Sequence, residues 1–169
     1  EGDKVEIVFT PRISFDIWSE NSRSIERGPL VYAYPIPSEK RKVVNAVDPQ
    51  SQGPWYWEFE PKAPWNYALI QTPSTGMEER YTVDESRLHG DFPFPWNEEN
   101  APVSIEAEVT RALKWGEYNG MAGPLPYSLG YNFKTSGTTE KIKLIPYGCT
   151  ILRIAEFPMT GRHSADNYE

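Results

Sequence analysis

Residues 102–111 read PVSIEAEVTR. Val103, Ile105, Ala107 and Val109 fall on one face of this run; Ser104, Glu106, Glu108 and Thr110 fall on the other. That is the period of two of a half-buried β-strand. The same period returns along the chain. In KVEIVFTPRISFDIW (4–18), Val5, Ile7 and Phe9 share a face, and Ile13, Phe15 and Ile17 resume it after Pro11. Proline cannot donate to a ladder, so Pro11 predicts a break, bulge or edge position between two strands.

Residues 24–26 and 30–36 also read as extended, with Gly28-Pro29 supplying a sharp turn or bulge between them. Residues 38–53 read as a loop with one short strand at 42–44. Trp55, Trp57 and Phe59 alternate with Tyr56 and Glu58 in a further strand, and 65–70 and 81–83 read as two more. Residues 91–97 form an irregular aromatic loop, and 114–139 a long loop rich in turn formers. Residues 141–146 and 150–158 read as a hairpin turning through Pro146–Cys149. No segment carries a helical stripe, and 16 Pro and 12 Gly separate short alternating strands. The pattern predicts an all-β chain: an antiparallel, jelly-roll-like β-sandwich with long Pro/Gly/aromatic loops.

The 169 residues are enough for one domain with a sizeable core. We read 1–160 as that domain, starting either in its own strands or in the last strands of a preceding sandwich, and 161–169 as a flexible tail. The chain opens directly on a strand with no signal-peptide pattern, and reads as a piece of something larger. A net charge of −7 argues against nucleic acid and against an anionic membrane face. No apolar run approaches the ~20 residues of a membrane helix, so no membrane insertion is expected. A single cysteine, Cys149, excludes an intrachain disulfide and a Cys-rich zinc site. No cofactor or metal site is expected. Calcium has no Asp-x-Asp-x-Asp-Gly loop to bind, and His89 and His163 lie in polar, exposed stretches.

Five stretches in one order carry a resemblance: SIERGPLVYAY (24–34), APWNYAL (63–69), NAPVSIEAEV (100–109), MAGPLP (121–126) and IPYGCTILRIAEFP (145–158). Together they resemble the C-terminal, non-catalytic β-sandwich region of bacterial glycoside hydrolases related to the family 127 β-L-arabinofuranosidases. In that family the chemistry sits in an N-terminal (α/α) barrel with a zinc-bound cysteine nucleophile and acidic partners. Cys149 lies in the sandwich motif and does not match that nucleophile, so no catalytic residue carries over. The resemblance implies a non-catalytic accessory domain, not an enzyme by itself, packing on and stabilising a catalytic barrel of the same full-length chain. It also implies a periplasmic or cell-surface location and, as a partner, a plant-wall oligosaccharide.

Two groups of residues are candidate sites. Glu26 and Arg27, before Gly28-Pro29, read either as a charged finger aimed at a sugar or at the barrel, or as a bulge with Arg27 paired to a neighbouring carboxylate. Trp65, Asn66, Trp96, Asn97 and Trp115 are candidate carbohydrate contacts. Indole rings pack against sugar C–H faces while amides read hydroxyls. The competing reading makes these rings loop anchors, and Trp57, on an alternating strand, reads as core. This carbohydrate-binding module is the alternative function. A glycosidase needs two facing acids. Asp84, Glu85, Asp91, Glu98 and Glu99 read instead as solvated loop acids, and Cys149 as a small buried filler.

Overall fold

The computed structural model describes residues 2–71, 78–88, 96–128, 130 and 132–160. His89, Asp91, His163, the tail 161–169 and most of the aromatic loop 91–97 lie outside them. The strands are β1 (Ile13–Ile17), β2 (Arg23–Arg27), β3 (Leu30–Pro35), β4 (Ser38–Val44), β5 (Trp55–Pro61), β6 (Tyr67–Leu69), β7 (Tyr81–Asp84), β8 (Ser104–Arg111), β9 (Glu117–Tyr118), β10 (Met121–Ala122), β11 (Glu140–Pro146) and β12 (Arg153–Ile154). Three short 3-10 turns are the only helical segments among the described residues. The protein is all-β, a sandwich-type fold built on a curled antiparallel sheet.

The main sheet runs β1-β2-β3-β11-β8-β6, with β12 on β3 and β7 on β8. β8 is its longest strand and pairs with three others, β11, β6 and β7. Ile105, Ala107 and Val109 are fully buried, joined by Ile142 and Leu144 of β11 and by Tyr32 and Ile25. On the outer face of β8, Glu106 takes Lys141 (2.6 Å) and Glu108 takes Arg80 (2.7 Å). Ser104 and Thr110 depart from the alternation: both are buried, and Thr110 Oγ1 lies 3.1 Å from Ser136 Oγ in the loop that covers this end.

The sheet is drawn towards closure by the segment 157–160. Arg23 and Phe157 exchange backbone hydrogen bonds of 2.8 and 2.9 Å. Leu69 of β6 donates to Pro158 O, and Thr160 donates back to Leu69 O, each at 2.9 Å. This strap therefore joins β2 to β6, the two sides of the curled sheet, and Phe157 and Met159 plug the core between them.

Three local expectations need correction. Residues 5–9 pair with nothing among the described residues, and Val5, Ile7, Val8 and Phe9 stand exposed. Alternation marks a segment able to lie on a surface; it does not supply the surface. The segments at 141–146 and 150–158 do not form a hairpin. Pro146 ends the ladder, a 3-10 turn at Tyr147–Cys149 redirects the chain, and β11 and β12 both pair with β3, at Tyr32–Ala33 and Tyr34–Pro35. Finally, the polar run read as a loop with a short strand is the seven-residue β4, which pairs with β5 along its whole length in a separate two-stranded sheet.

Candidate functional site

The Gly28-Pro29 turn follows directly on the candidates Glu26 and Arg27. Arg27 pairs with Leu30, so the connection is a two-residue hairpin turn and not a bulge. Gly28 has φ +59°, which primed hairpin turns require at their first position and which L side chains disfavour. A Cβ there would also meet Pro11 Cβ at 3.2 Å. Pro11 thus packs on the turn, and the exposed apolar segment 5–9 leaves the fold beside it.

Arg27 is directed away from solvent, with only 12% of its side chain exposed, and meets Glu85 at 2.5 Å. It also lowers the pKa of the Tyr32 phenol, though burial outweighs it and leaves that phenol raised. Glu26 takes the other direction. It lines a largely apolar groove of about 430 Å³ together with Trp18, Leu30, Val31, Tyr147 and Glu156. Trp18 Nε1 donates to Ser24 Oγ (3.0 Å), and that hydroxyl donates to Glu26 Oε1 (3.2 Å). Across the groove, Glu156 Oε1 accepts from Ser22 Oγ (2.5 Å) and Ser19 Oγ (3.2 Å). The β1–β2 connection beneath it holds Glu20 and Asn21 in left-handed conformations (φ 54° and 55°), a strained geometry for Glu20.

The sequence candidates around Trp65 form a closed bracket. Asn66 Nδ2 donates to Ala112 O and Trp115 O, both at 2.9 Å. Its Oδ1 accepts from Arg111 Nε at 2.9 Å and from Arg111 Nη2. Trp115 is 4% exposed, and its Nε1 donates to Gly123 O at 2.9 Å. Trp65 packs edge-on against it at 5.1 Å. The amide of Asn66 has both donors and its oxygen engaged within the protein. Trp96 and Asn97 sit in a different turn. Asn97 Oδ1 accepts the backbone N–H groups of Glu99 and Asn100, and Glu98 of that turn accepts from Ile151 N. The structure therefore brings Trp65, Asn66 and Trp115 together and places Trp96 and Asn97 elsewhere.

Trp57, read above as core, is 45% exposed, and Trp55 is 42% exposed. β4–β5 is a two-stranded sheet separate from the main one, and its Trp55–Trp57 end is exposed while Phe59 and Pro61 are half-buried. The two rings meet edge-on at 5.6 Å. Lys40 Nζ lies 4.2 Å from the Trp57 ring centre, and Lys42 Nζ 4.2 Å from that of Trp55. The sequence held a signal for this face: Lys-x-Lys at 40–42 opposite Trp-x-Trp-x-Phe at 55–59, both in period two.

Among the described residues no cluster of three His, Cys, Asp or Glu side chains suits a metal ion, and no helix is long and apolar enough to cross a membrane. Burial raises the Cys149 thiol above its ordinary range, which disfavours the reactive thiolate. In comparisons with known proteins, no family model, curated protein or solved structure matches the chain.

Proposed function

We propose that this chain is a non-catalytic accessory domain of a polysaccharide-degrading glycoside hydrolase, which packs on a catalytic (α/α) barrel and stabilises it. The observation that carries the reading is the coincidence at the Gly28-Pro29 turn. An apolar groove of about 430 Å³ is lined by Pro29, Pro11 packs on Gly28, and the exposed apolar residues Val5, Ile7, Val8 and Phe9 come just before Pro11 in the chain. Contiguous exposed apolar surface of this kind marks an interaction face. The resemblance of the five stretches to the family 127-related sandwich region names the partner, and location in the periplasm or at the cell surface follows from the same resemblance.

The test mixes the chain with a separately produced (α/α) barrel of a family 127-related hydrolase and measures binding by calorimetry and the melting temperature of the barrel. Binding and a raised melting temperature are expected. The double change Phe9→Asp with Val31→Asp should weaken the complex about tenfold or more, as loss of a buried apolar anchor does. A barrel that neither binds nor changes its melting temperature would sink the reading.

A second reading, a carbohydrate-binding module, is favoured by the exposure of Trp55, Tyr56 and Trp57 on one hairpin. The two roles sit on different surfaces and are compatible.

A further inference from the structure

The two faces of the β4–β5 hairpin differ in charge. The register places Ser38, Lys40, Lys42 and Val44 opposite Pro61, Phe59, Trp57 and Trp55 on one face. The other face carries Glu39, Arg41, Glu58 and Glu60. Its charges are paired: Arg41 with Glu58 at 2.6 Å, and Lys62 with Glu39 and Glu60 at 2.9 and 3.1 Å. The aromatic face holds two lysines and no acid, on a chain whose net charge is −7. Such segregation is not what solubility requires, since mixed signs serve that equally well.

We propose that this aromatic face binds an oligosaccharide carrying uronic acids. The indoles of Trp55 and Trp57 supply the apolar surface against which sugar C–H groups pack. Lys40 and Lys42, two residues apart on a strand and so about 7 Å apart along it, supply partners for carboxylates on the same ligand. Their resting contacts with the rings are weak at an exposed site, so they can leave the rings for a carboxylate. The platform is held firm at its tip. Asn45, buried, donates to Asp48 O and Gly53 O and accepts from Val47 N and Asp48 N, which fixes the loop joining the strands. At the other end Phe59 lines a cavity of about 220 Å³ whose walls include Trp65, Glu117 and Arg153. The strip therefore runs into a concave end that can take a terminal sugar.

A single-stranded nucleic acid would also use aromatic rings and lysines. It carries a charge at every phosphate, and two lysines on an acidic chain do not meet that density. The proposal rests on the carbohydrate-binding reading and narrows it to a ligand class.

The experiment is calorimetric titration of the 169-residue chain with tetragalacturonic acid, a neutral oligosaccharide of equal length, and oligo-thymidylate. Saturable binding of the uronate is expected, weakened by added salt and tighter than that of the neutral sugar. The Lys40→Gln, Lys42→Gln double variant should bind it about fivefold more weakly, the worth of two exposed charge pairs. Trp55→Ala with Trp57→Ala should abolish binding, with circular dichroism verifying the fold. Lys141→Gln, on the main sheet, should leave binding unchanged. Equal affinity for the neutral sugar, or indifference to the lysine changes, would overturn the uronate assignment while leaving a carbohydrate site standing. Absence of binding to either sugar would overturn both. Tighter binding of oligo-thymidylate would replace the ligand class.

Discussion

Two tryptophan pairs in this protein have nearly the same internal geometry and opposite surroundings. Trp65 and Trp115 meet edge-on at 5.1 Å, and Trp55 and Trp57 edge-on at 5.6 Å. The first pair sits in a hydrogen-bonded bracket: the Trp115 indole N–H donates to Gly123, and the neighbouring Asn66 is held by two carbonyls and by Arg111. The second pair is half-exposed, with the ammonium groups of Lys40 and Lys42 over its rings. Ring geometry alone does not separate a structural anchor from a contact surface. What separates them is whether the surrounding hydrogen-bond capacity is already satisfied within the fold.

The sharpest way to break that contrast is truncation. Trp115→Ala should destabilise the protein by about 3–5 kcal/mol, the range for loss of a buried large aromatic ring. Trp55→Ala should change stability by less than about 1 kcal/mol, as at other exposed positions. Urea denaturation of both variants measures the difference, and equal losses would erase the distinction. Next in size is Asn66→Ala. It strips two carbonyls and a guanidinium of their partner and should cost about 2 kcal/mol. A near-zero change would mean that water satisfies these groups and that the bracket is looser than drawn.

The smallest effect is on pH dependence, and it is read on the buried side. Burial, then Glu140, pushes the Tyr67 phenol up to about 12, and burial also raises Tyr32, Tyr34 and Tyr81. A folded-state pKa above the unfolded one contributes stability that is present below the unfolded value and lost as pH rises through the folded one. Stability should therefore fall between about pH 10 and about pH 12. In an ultraviolet titration these phenols should ionise only as the protein unfolds. Early, reversible ionisation of all the tyrosines would show that the buried side is open to water.

The sequence told most where burial is one-sided and local. Ile105, Ala107 and Val109 announce β8, and the core is built on them. It told less where the deciding partner is remote. Asn66 takes its role from backbone carbonyls at 112 and 115, and no pattern near Asn66 reports them. Val5, Ile7 and Phe9 alternate as a strand does, yet periodicity cannot say whether a partner strand is on hand. Lys40, Arg41 and Lys42 conceal β4 because charged side chains are poor strand formers by propensity; the pairing with Trp55–Pro61 overrides that. For the same reason Trp57 looked like core: a ring on an alternating strand is buried only if a second layer lies over it. The Gly28-Pro29 pair was legible as a sharp feature, but whether it closes a hairpin or bends a single strand depends on register, which local sequence leaves open.

The strap at 157–160 has a consequence for how the molecule is made. Synthesis runs from the amino end, and nearly every strand of the sheet is available before Phe157 emerges. The hydrogen bonds that tie β2 to β6 belong to residues 157–160, separated from Arg23 by most of the chain. Until they form, the outer edge of β6 and the Arg23 end of β2 keep unpaired backbone groups that another chain can occupy. Completion of the fold is thus a late, long-range event of the kind that slows β-rich proteins. A nascent chain halted short of Phe157 holds most of the finished strands, and it holds them as an open template for aggregation.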